Sequence, residues 1–263
     1  MSDKVDQKLI RHIEMWRAAY NDDIAGVLVT ITSMLWDYAA FRTAIKIANL
    51  ANQRQRSTAT DSSTHGVNSM LFELLAKGYW SNLLIGARKL LERQSISGSR
   101  GVYSLRAILD DVRACQPQLT RKAYIERVRG CRYDLGVLQQ ENRAALEAAG
   151  QRPIWGNPAL LQSELSHKDF DHLSGVKESD RNEGDLIDPA VLRRIEGRLL
   201  DYDRISQHVS SHIAHAGNVE SRVGKELEQF DVGEARKLLK SLKEVGDLVG
   251  RLFANGGIST LAI

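Results

Sequence analysis

Cysteine is scarce in this chain. Only Cys115 and Cys131 occur, sixteen residues apart and with no CxxC pair. A disulfide framework is thereby excluded, and a reducing cytoplasm is the expected location. Two packed thiols are a plainer reading than a redox pair. Proline is scarce too, at four in 263 residues, and runs of alternating Val, Thr and Ile are few. An almost all-helical protein is expected. Long apolar runs are missing. The most apolar stretch, Ile24 to Trp36, carries Gly26, Thr30, Thr32 and Ser33 and closes at Asp37. It falls short of the span of about 20 residues that a membrane requires. The opening residues, Met1 to Lys8, lack the apolar core of a signal peptide. A membrane is therefore not an expected partner. Charge of one sign is lacking as well. The net charge of +3 and pI near 8.8 are too mild to argue for nucleic acid alone, though they do not oppose it. No P-loop, dinucleotide fingerprint or GxSxG elbow occurs, and Gly98-x-x-Gly101 is only a loop. No cofactor is implied.

What is present is an ordinary globular composition, 43% hydrophobic and 26% charged, in a chain long enough for a sizeable core. Apolar residues recur at helical spacing from Lys8 to Tyr20, Asp22 to Asn52, Val67 to Arg93 and Leu119 to Ala149. Ser104 reads as the N-cap of a helix reaching about Ala114. Asp188-Pro189 reads as the start of a helix running to about Ala216, where Gly217-Asn218 stops it. Asp231 caps a final helix that ends at Asn255-Gly256-Gly257. Residues 53–66 and 152–187 read as irregular loops or an insertion, with one short helix near Ala159 to Ser166. No repeat or extended coiled coil is visible. A single helical domain spanning residues 1–263 is expected.

Chemistry concentrates near the end of the helix that Asp188 opens. His208, His212 and His215 stand four and three residues apart, so a helix sets them on one face. On a wheel of about 100° per residue, Leu199, Tyr202, Val209 and Ile213 fall within about 40° of Ile195 and form the core seam. The histidines fall well away from that seam, beside Asp201, Arg204 and Ser211. Four readings follow. The stripe is a solvated face, a metal site, a metal-independent site on RNA, or a protein interface. For metal, residues at i and i+4 can share a zinc, but His208-Val-Ser-Ser-His212 carries no Glu between the ligands. His167 and His172 could join only through the fold, and no metal ligand set is assigned. For RNA, one imidazole takes a proton from a ribose 2′-hydroxyl while a protonated one gives a proton to the leaving oxygen. Arg204 would hold the phosphate.

The segment Ser210-Ser-His-Ile-Ala-His215-Ala-Gly217 resembles the close of the HEPN signature, in which an Arg is followed after roughly four to six residues by a His. Two upstream runs are similar to abortive-infection-type HEPN-like proteins: Leu83-Leu-Ile-Gly-Ala-Arg-Lys-Leu-Leu-Glu92 and Val102-Tyr-Ser-Leu-Arg-Ala-Ile-Leu109. The resemblance implies an antiparallel helical bundle, usually a homodimer with its motif near the dimer cleft. It also implies metal-independent endoribonuclease activity, in defence or toxin-antitoxin systems, with a regulatory partner protein. His215 matches the family's histidine. The arginine departs from the pattern, because the expected positions hold His208, Val209 and Ser210. Arg204 stands eleven residues before His215, roughly 16 Å along a helix, so only a partner subunit's copy could bring the two together.

Two other features bear on function. The run Arg121-Lys-Ala-Tyr-Ile-Glu-Arg127-Val-Arg129-Gly-Cys-Arg132 is locally basic, and reads either as a phosphate-contacting face or as a solvated one. Arg88 sits in a Leu-rich helix, where packing with a snorkelling head is the plainer account. The expectation is thus a HEPN-like helical protein that cuts or binds RNA, with Arg204, His208, His212 and His215 as catalytic candidates and Arg121, Arg127 and Arg129 as RNA contacts. The competing class is a catalytically silent helical interaction protein.

Overall fold

The computed structural model describes residues 2–58, 69–149, 157–214, 223, 227 and 230–258. The described residues form ten α-helices in an antiparallel all-α bundle, with no strand. Their only β-type pairing is an isolated antiparallel bridge between Thr120 and Leu186. In chain order the helices are α1 (Ser2–Asn21), α2 (Val27–Thr58), α3 (Ser69–Leu91) and α4 (Leu105–Cys115). There follow α5 (Arg121–Ala123), α6 (Leu135–Ala149), α7 (Pro158–Ser174), α8 (Pro189–Leu200), α9 (Asp203–His208) and α10 (Val232–Val249). Three π turns extend α5, α9 and α10: Tyr124–Val128, Val209–Ala214 and Gly250–Ala254.

The bundle is organised around α4. This helix packs against α1, α3, α8 and α10. Its residues Leu105, Ala107, Ile108, Leu109, Val112 and Cys115 are all buried. Ser104 starts it as expected, accepting the Ala107 N–H, and also donates to the Glu92 carbonyl at 2.6 Å. One hydroxyl thus caps α4 and ties it to the end of α3. Asp188 accepts the Ala190 N–H, with Pro189 at the first helical position, and Asp231 accepts the Glu234 N–H. These three starts stand where the sequence puts them, because a cap is a local interaction.

Other boundaries differ. α1 and α2 are separated by a tight turn in which Asp22 Oδ1 accepts the N–H groups of Ile24 and Ala25. A Cβ on Gly26 would stand 2.5 Å from the Asp22 carbonyl, so only glycine fits there. Ile24, which opens the most apolar stretch and falls within the helix expected from Asp22 to Asn52, is 92% exposed in that turn. α2 continues through Thr58, into the stretch read as a loop, because its Gln and Arg residues are good helix formers. Residues 59–66 lie outside the described residues. The helix expected from Leu119 to Ala149 is broken by Gly130, which takes φ +67°, and α6 restarts after Asp134 Oδ1 accepts from Val137 N. Within the stretch read as irregular at 152–187, α7 is a full helix from Asn157, its cap, to Gly175 at φ +72°. Among the described residues of that stretch, the part beyond Gly175 is loop, apart from one 3-10 turn at Glu178–Asp180 and the bridge at Leu186.

The break with most consequence separates α8 from α9, where one helix was expected. The guanidinium of Arg106 on α4 is 3% exposed. It donates to the Leu199 carbonyl at 2.7 Å and pairs with the Asp203 carboxylate. Tyr202 N–H closes onto the same Leu199 carbonyl at 3.2 Å, tightening the last turn, and α9 begins afresh at Asp203. The rest of α8 is held by Glu196, which binds Arg93 at 2.9 Å and also Arg113. Burial pulls the Glu196 carboxyl upward, but the two guanidinium bonds outweigh it and hold it below its ordinary value.

The α5–α7 region has a charged interior of its own. Arg121 is fully buried over the Phe170 ring, with Nε 2.7 Å from Asp185 and Nη1 2.7 Å from Asp171. Arg181 binds Asp171 from the other side at 3.0 Å. His167, also buried, donates from Nε2 to the Tyr133 carbonyl at 2.9 Å, while its Nδ1 has no partner. Burial lowers its pKa, only partly countered by that bond.

Asp203→Ala is expected to cost about 2–3 kcal/mol in urea unfolding, since it strips the anion from a buried guanidinium; the loss is discounted because the carboxylate is partly exposed. The exposed neighbour change Asp201→Ala should stay within about 0.5 kcal/mol. For His167, the folded pKa lies below the unfolded value of about 6.5, so the unfolded chain takes up protons first. Its contribution is present at pH 7 and lost as pH falls below about 6.5. Urea titrations at pH 7 and pH 5 should show that fall in the wild type and a flatter profile in His167→Gln.

Candidate functional site

Arg204, His208 and His212 follow one another at four-residue intervals along α9 and its π turn. Two serines shape the backbone there. Ser210 Oγ donates to the Ser206 carbonyl at 2.8 Å, and Ser211 Oγ to the Gln207 carbonyl at 2.9 Å. Hydroxyls that bond back four residues compete with the helical ladder, and the helix widens into a π turn at this point. The imidazoles of His208 and His212 stack with centroids 4.4 Å apart and 14° between their planes. Both are half-buried.

Ser211, drawn on the polar stripe by the helical wheel, is 7% exposed, and its hydroxyl lies 2.9 Å from His212 Nδ1. A serine hydroxyl has one proton, and Gln207 takes it. With that proton directed at the Gln207 carbonyl, the oxygen can accept from His212 Nδ1–H, the tautomer that offers Nε2 as the acceptor nitrogen. Arg204 is 52% exposed and lies 3.3 Å from Glu234 in the first turn of α10. An exposed pair of this kind is worth about 0–1 kcal/mol, little enough for a phosphate to displace the carboxylate.

The break at Leu200 removes Asp201 from the stripe, because a wheel drawn through both helices does not hold across it. Asp201 is exposed at the turn, and its neighbour Asp203 makes the buried ion pair. His215 lies outside the described residues. Among the described residues, His208 and His212 gather no third His, Cys, Asp or Glu ligand. His167 is in the interior of the α5–α7 region and His172 is elsewhere on α7. Arg88 is half-buried on α3, the helix that packs along α9 and its π turn.

The basic run does not act as one face, because its first arginine is interior. Arg121 is wholly enclosed, all of its guanidinium nitrogens facing protein acceptors. Arg127 pairs with Asp6 at 2.7 Å. Arg129 binds the Arg251 carbonyl and lies 3.7 Å from Asp169. Charge along a sequence does not distinguish an interior guanidinium from a solvated one. A different basic surface, missed by the sequence reading, is an open cavity of about 730 Å³ on α2, lined by Tyr38, Arg42, Lys46 and Val232 among others. Its signal in the sequence was slight: two cations four apart, on a helix whose apolar stripe drew the eye. Val232 shares its turn with Glu234, which holds Arg204. Cys115 is no nucleophile, because burial pushes its thiol up to about 11, with the Asp111 charge adding to the effect.

No helix among the described residues is long and apolar enough to cross a membrane. No curated protein and no solved structure matches the chain. Residues 29–238, from the first turn of α2 into α10, match the HEPN AbiU2 family. With most of the bundle inside that span, the chain belongs to the AbiU2 family of HEPN-like, abortive-infection-type proteins.

Proposed function

We propose that this protein is a metal-independent endoribonuclease of a bacterial defence system, acting as a homodimer. The observation that carries the reading is the stacked His208–His212 pair, with Ser211 leaving Nε2 of His212 basic. Family membership supports it. In the reaction, His212 Nε2 takes the proton of a ribose 2′-hydroxyl. The 2′-oxygen attacks the adjacent phosphorus, and the bond to the 5′-oxygen breaks. A protonated second imidazole, His208 or His215, gives its proton to that leaving oxygen, so the products are a 2′,3′-cyclic phosphate and a 5′-hydroxyl. Arg204, one turn from His208, exchanges Glu234 for the phosphate and stabilises its developing charge. Arg42 and Lys46 would guide the RNA backbone. Defence use implies a regulatory partner that holds the activity in check.

The dimer reading rests on the outer face of the α2–α3 hairpin. Trp36, Ile47, Leu74 and Ile85 are each about half exposed or more. Between the helices lies a cavity of about 340 Å³ floored in part by Ala40, Ala44 and Gly78. Large apolar residues rimming small ones, with Asp37 the one charge in that lining, suit a second copy of the same face.

End-labelled RNA incubated with the purified protein in excess chelator should be cut, leaving cyclic-phosphate ends. His212→Ala and Arg204→Ala should each slow cutting about 100-fold or more with unchanged melting temperature. Equal cutting by wild type and both variants, or none by any, sinks the enzymatic reading and leaves the silent interaction protein. Light scattering should give twice the 29.4 kDa chain mass, and Ile47→Glu with Leu74→Glu should halve it. A monomeric wild type would refute the dimer.

A further inference from the structure

α1 and α4 pack against each other, and each offers a pair of side chains one turn apart at their contact. From α1 come His12 and Trp16; from α4 come Asp111 and Cys115. His12 Nδ1 lies 2.8 Å from Asp111 Oδ2, and Trp16 Nε1 donates to the same oxygen at 2.6 Å. One ligand atom each from His12, Asp111 and Cys115 lies within 4.8 Å of the other two. Among the described residues no other set of three His, Cys, Asp or Glu side chains is so compact.

The geometry points to a transition-metal site at the α1–α4 contact, suited to Zn²⁺, with His12, Asp111 and the Cys115 thiolate as ligands and water as the fourth. Nitrogen, oxygen and sulfur ligands in one cluster match the borderline softness of zinc. Tetrahedral ligands at about 2.0–2.3 Å from the ion stand roughly 3.3–3.8 Å apart. His12 and Asp111 stand closer than that at 2.8 Å and no pair is farther apart than 4.8 Å, so small side-chain adjustments complete the shell. The His12 and Asp111 side chains are 20% and 22% exposed, which gives an ion and its water one open edge. Cys115 is the buried ligand, at 3% exposure.

On binding, the Cys115 S–H proton leaves to solvent, the Nδ1 proton of His12 is lost and the ring keeps its proton on Nε2, and the His12–Asp111 hydrogen bond gives way to two metal bonds. Thiolate and carboxylate together offset the dication. Trp16 continues to donate to Asp111 and fixes its orientation, as outer hydrogen bonds do at metal centres. The bound ion clamps α1 to the central helix of the bundle. His12 lies outside the family match at residues 29–238, whereas Asp111 and Cys115 lie inside it, so the site joins this chain's α1 to the matched span. It also stands apart from the histidine stripe and is independent of the ribonuclease reading.

Co²⁺ titrated into the metal-free full chain tests the site. A near-ultraviolet thiolate-to-cobalt absorption band should grow to one equivalent per chain and vanish on adding Zn²⁺. Cys115→Ser should abolish the band, whereas Cys131→Ser and the double change His208→Ala with His212→Ala should keep it. Zn²⁺ at a hundred-fold excess over its Kd should raise Tm by about 5–10 °C. His12→Gln, at a partly exposed position that folding tolerates, should weaken binding at least about tenfold and lose that rise. No band in the wild type, a band that survives Cys115→Ser, or an equal Tm rise in His12→Gln would overturn the proposal and leave a plain hydrogen-bonded cluster.

Discussion

The Arg106 guanidinium, buried in the seam where α4 meets the α8–α9 break, sets the geometry on which the candidate site depends. A buried guanidinium needs both an anion and further acceptors. Asp203 supplies the first and the Leu199 carbonyl the second. Both are met at the break, where the Leu199 carbonyl accepts the Tyr202 N–H as well as the guanidinium and Asp203 opens the next helix. The chain therefore stops at Leu200 and begins again at Asp203, and the stripe that follows is aimed by α9 and not by α8. The histidines owe their orientation to a residue on another helix, about a hundred positions earlier in the chain.

The same logic recurs elsewhere in the bundle. Glu196 gathers Arg93 and Arg113 where α3, α4 and α8 converge. Arg121 gathers Asp171 and Asp185 where α5 meets α7 and the loop after it. Each cluster fixes the relative placement of helices whose apolar faces alone would tolerate sliding. Satisfied charge pairs of this kind add little net stability over an apolar core. What they do here is specify register between helices that share the same Leu-rich chemistry.

This division explains what could be read from the sequence. Ser104, Asp188-Pro189 and Asp231 were legible because capping joins residues two or three apart. The all-helical class was legible from apolar spacing, and the HEPN family from three short runs. The break after Leu200 was not, because Leu199, Tyr202, Val209 and Ile213 stay near one wheel position and mask it. Its cause, Arg106, was quoted only as part of a family-like run. Arg121 misled for a related reason: in sequence it is one cation in a basic run, and only Asp171 and Asp185, some fifty and sixty positions on, reveal it as interior. The His208–His212 spacing was read, but not the role of Ser211, since a hydroxyl that bonds backward and a π turn leave no mark in periodicity.

The π turn also bears on how the family signature departs here. The signature expects an arginine a short way before its last histidine, and the positions concerned hold His208, Val209 and Ser210. Arg204 cannot reach His215 along one continuous helix, but it need not. Arg204, His208 and His212 form their own series at four-residue spacing, with the half-exposed guanidinium held by the Glu234 carboxylate and the imidazoles in contact. A phosphate held by Arg204 would then lie beside the stacked pair within a single chain. In the proposed reaction the departure becomes a shift of the cation–imidazole pairing by about two helical turns, supported by serines that hold the His212 ring in the tautomer a general base requires.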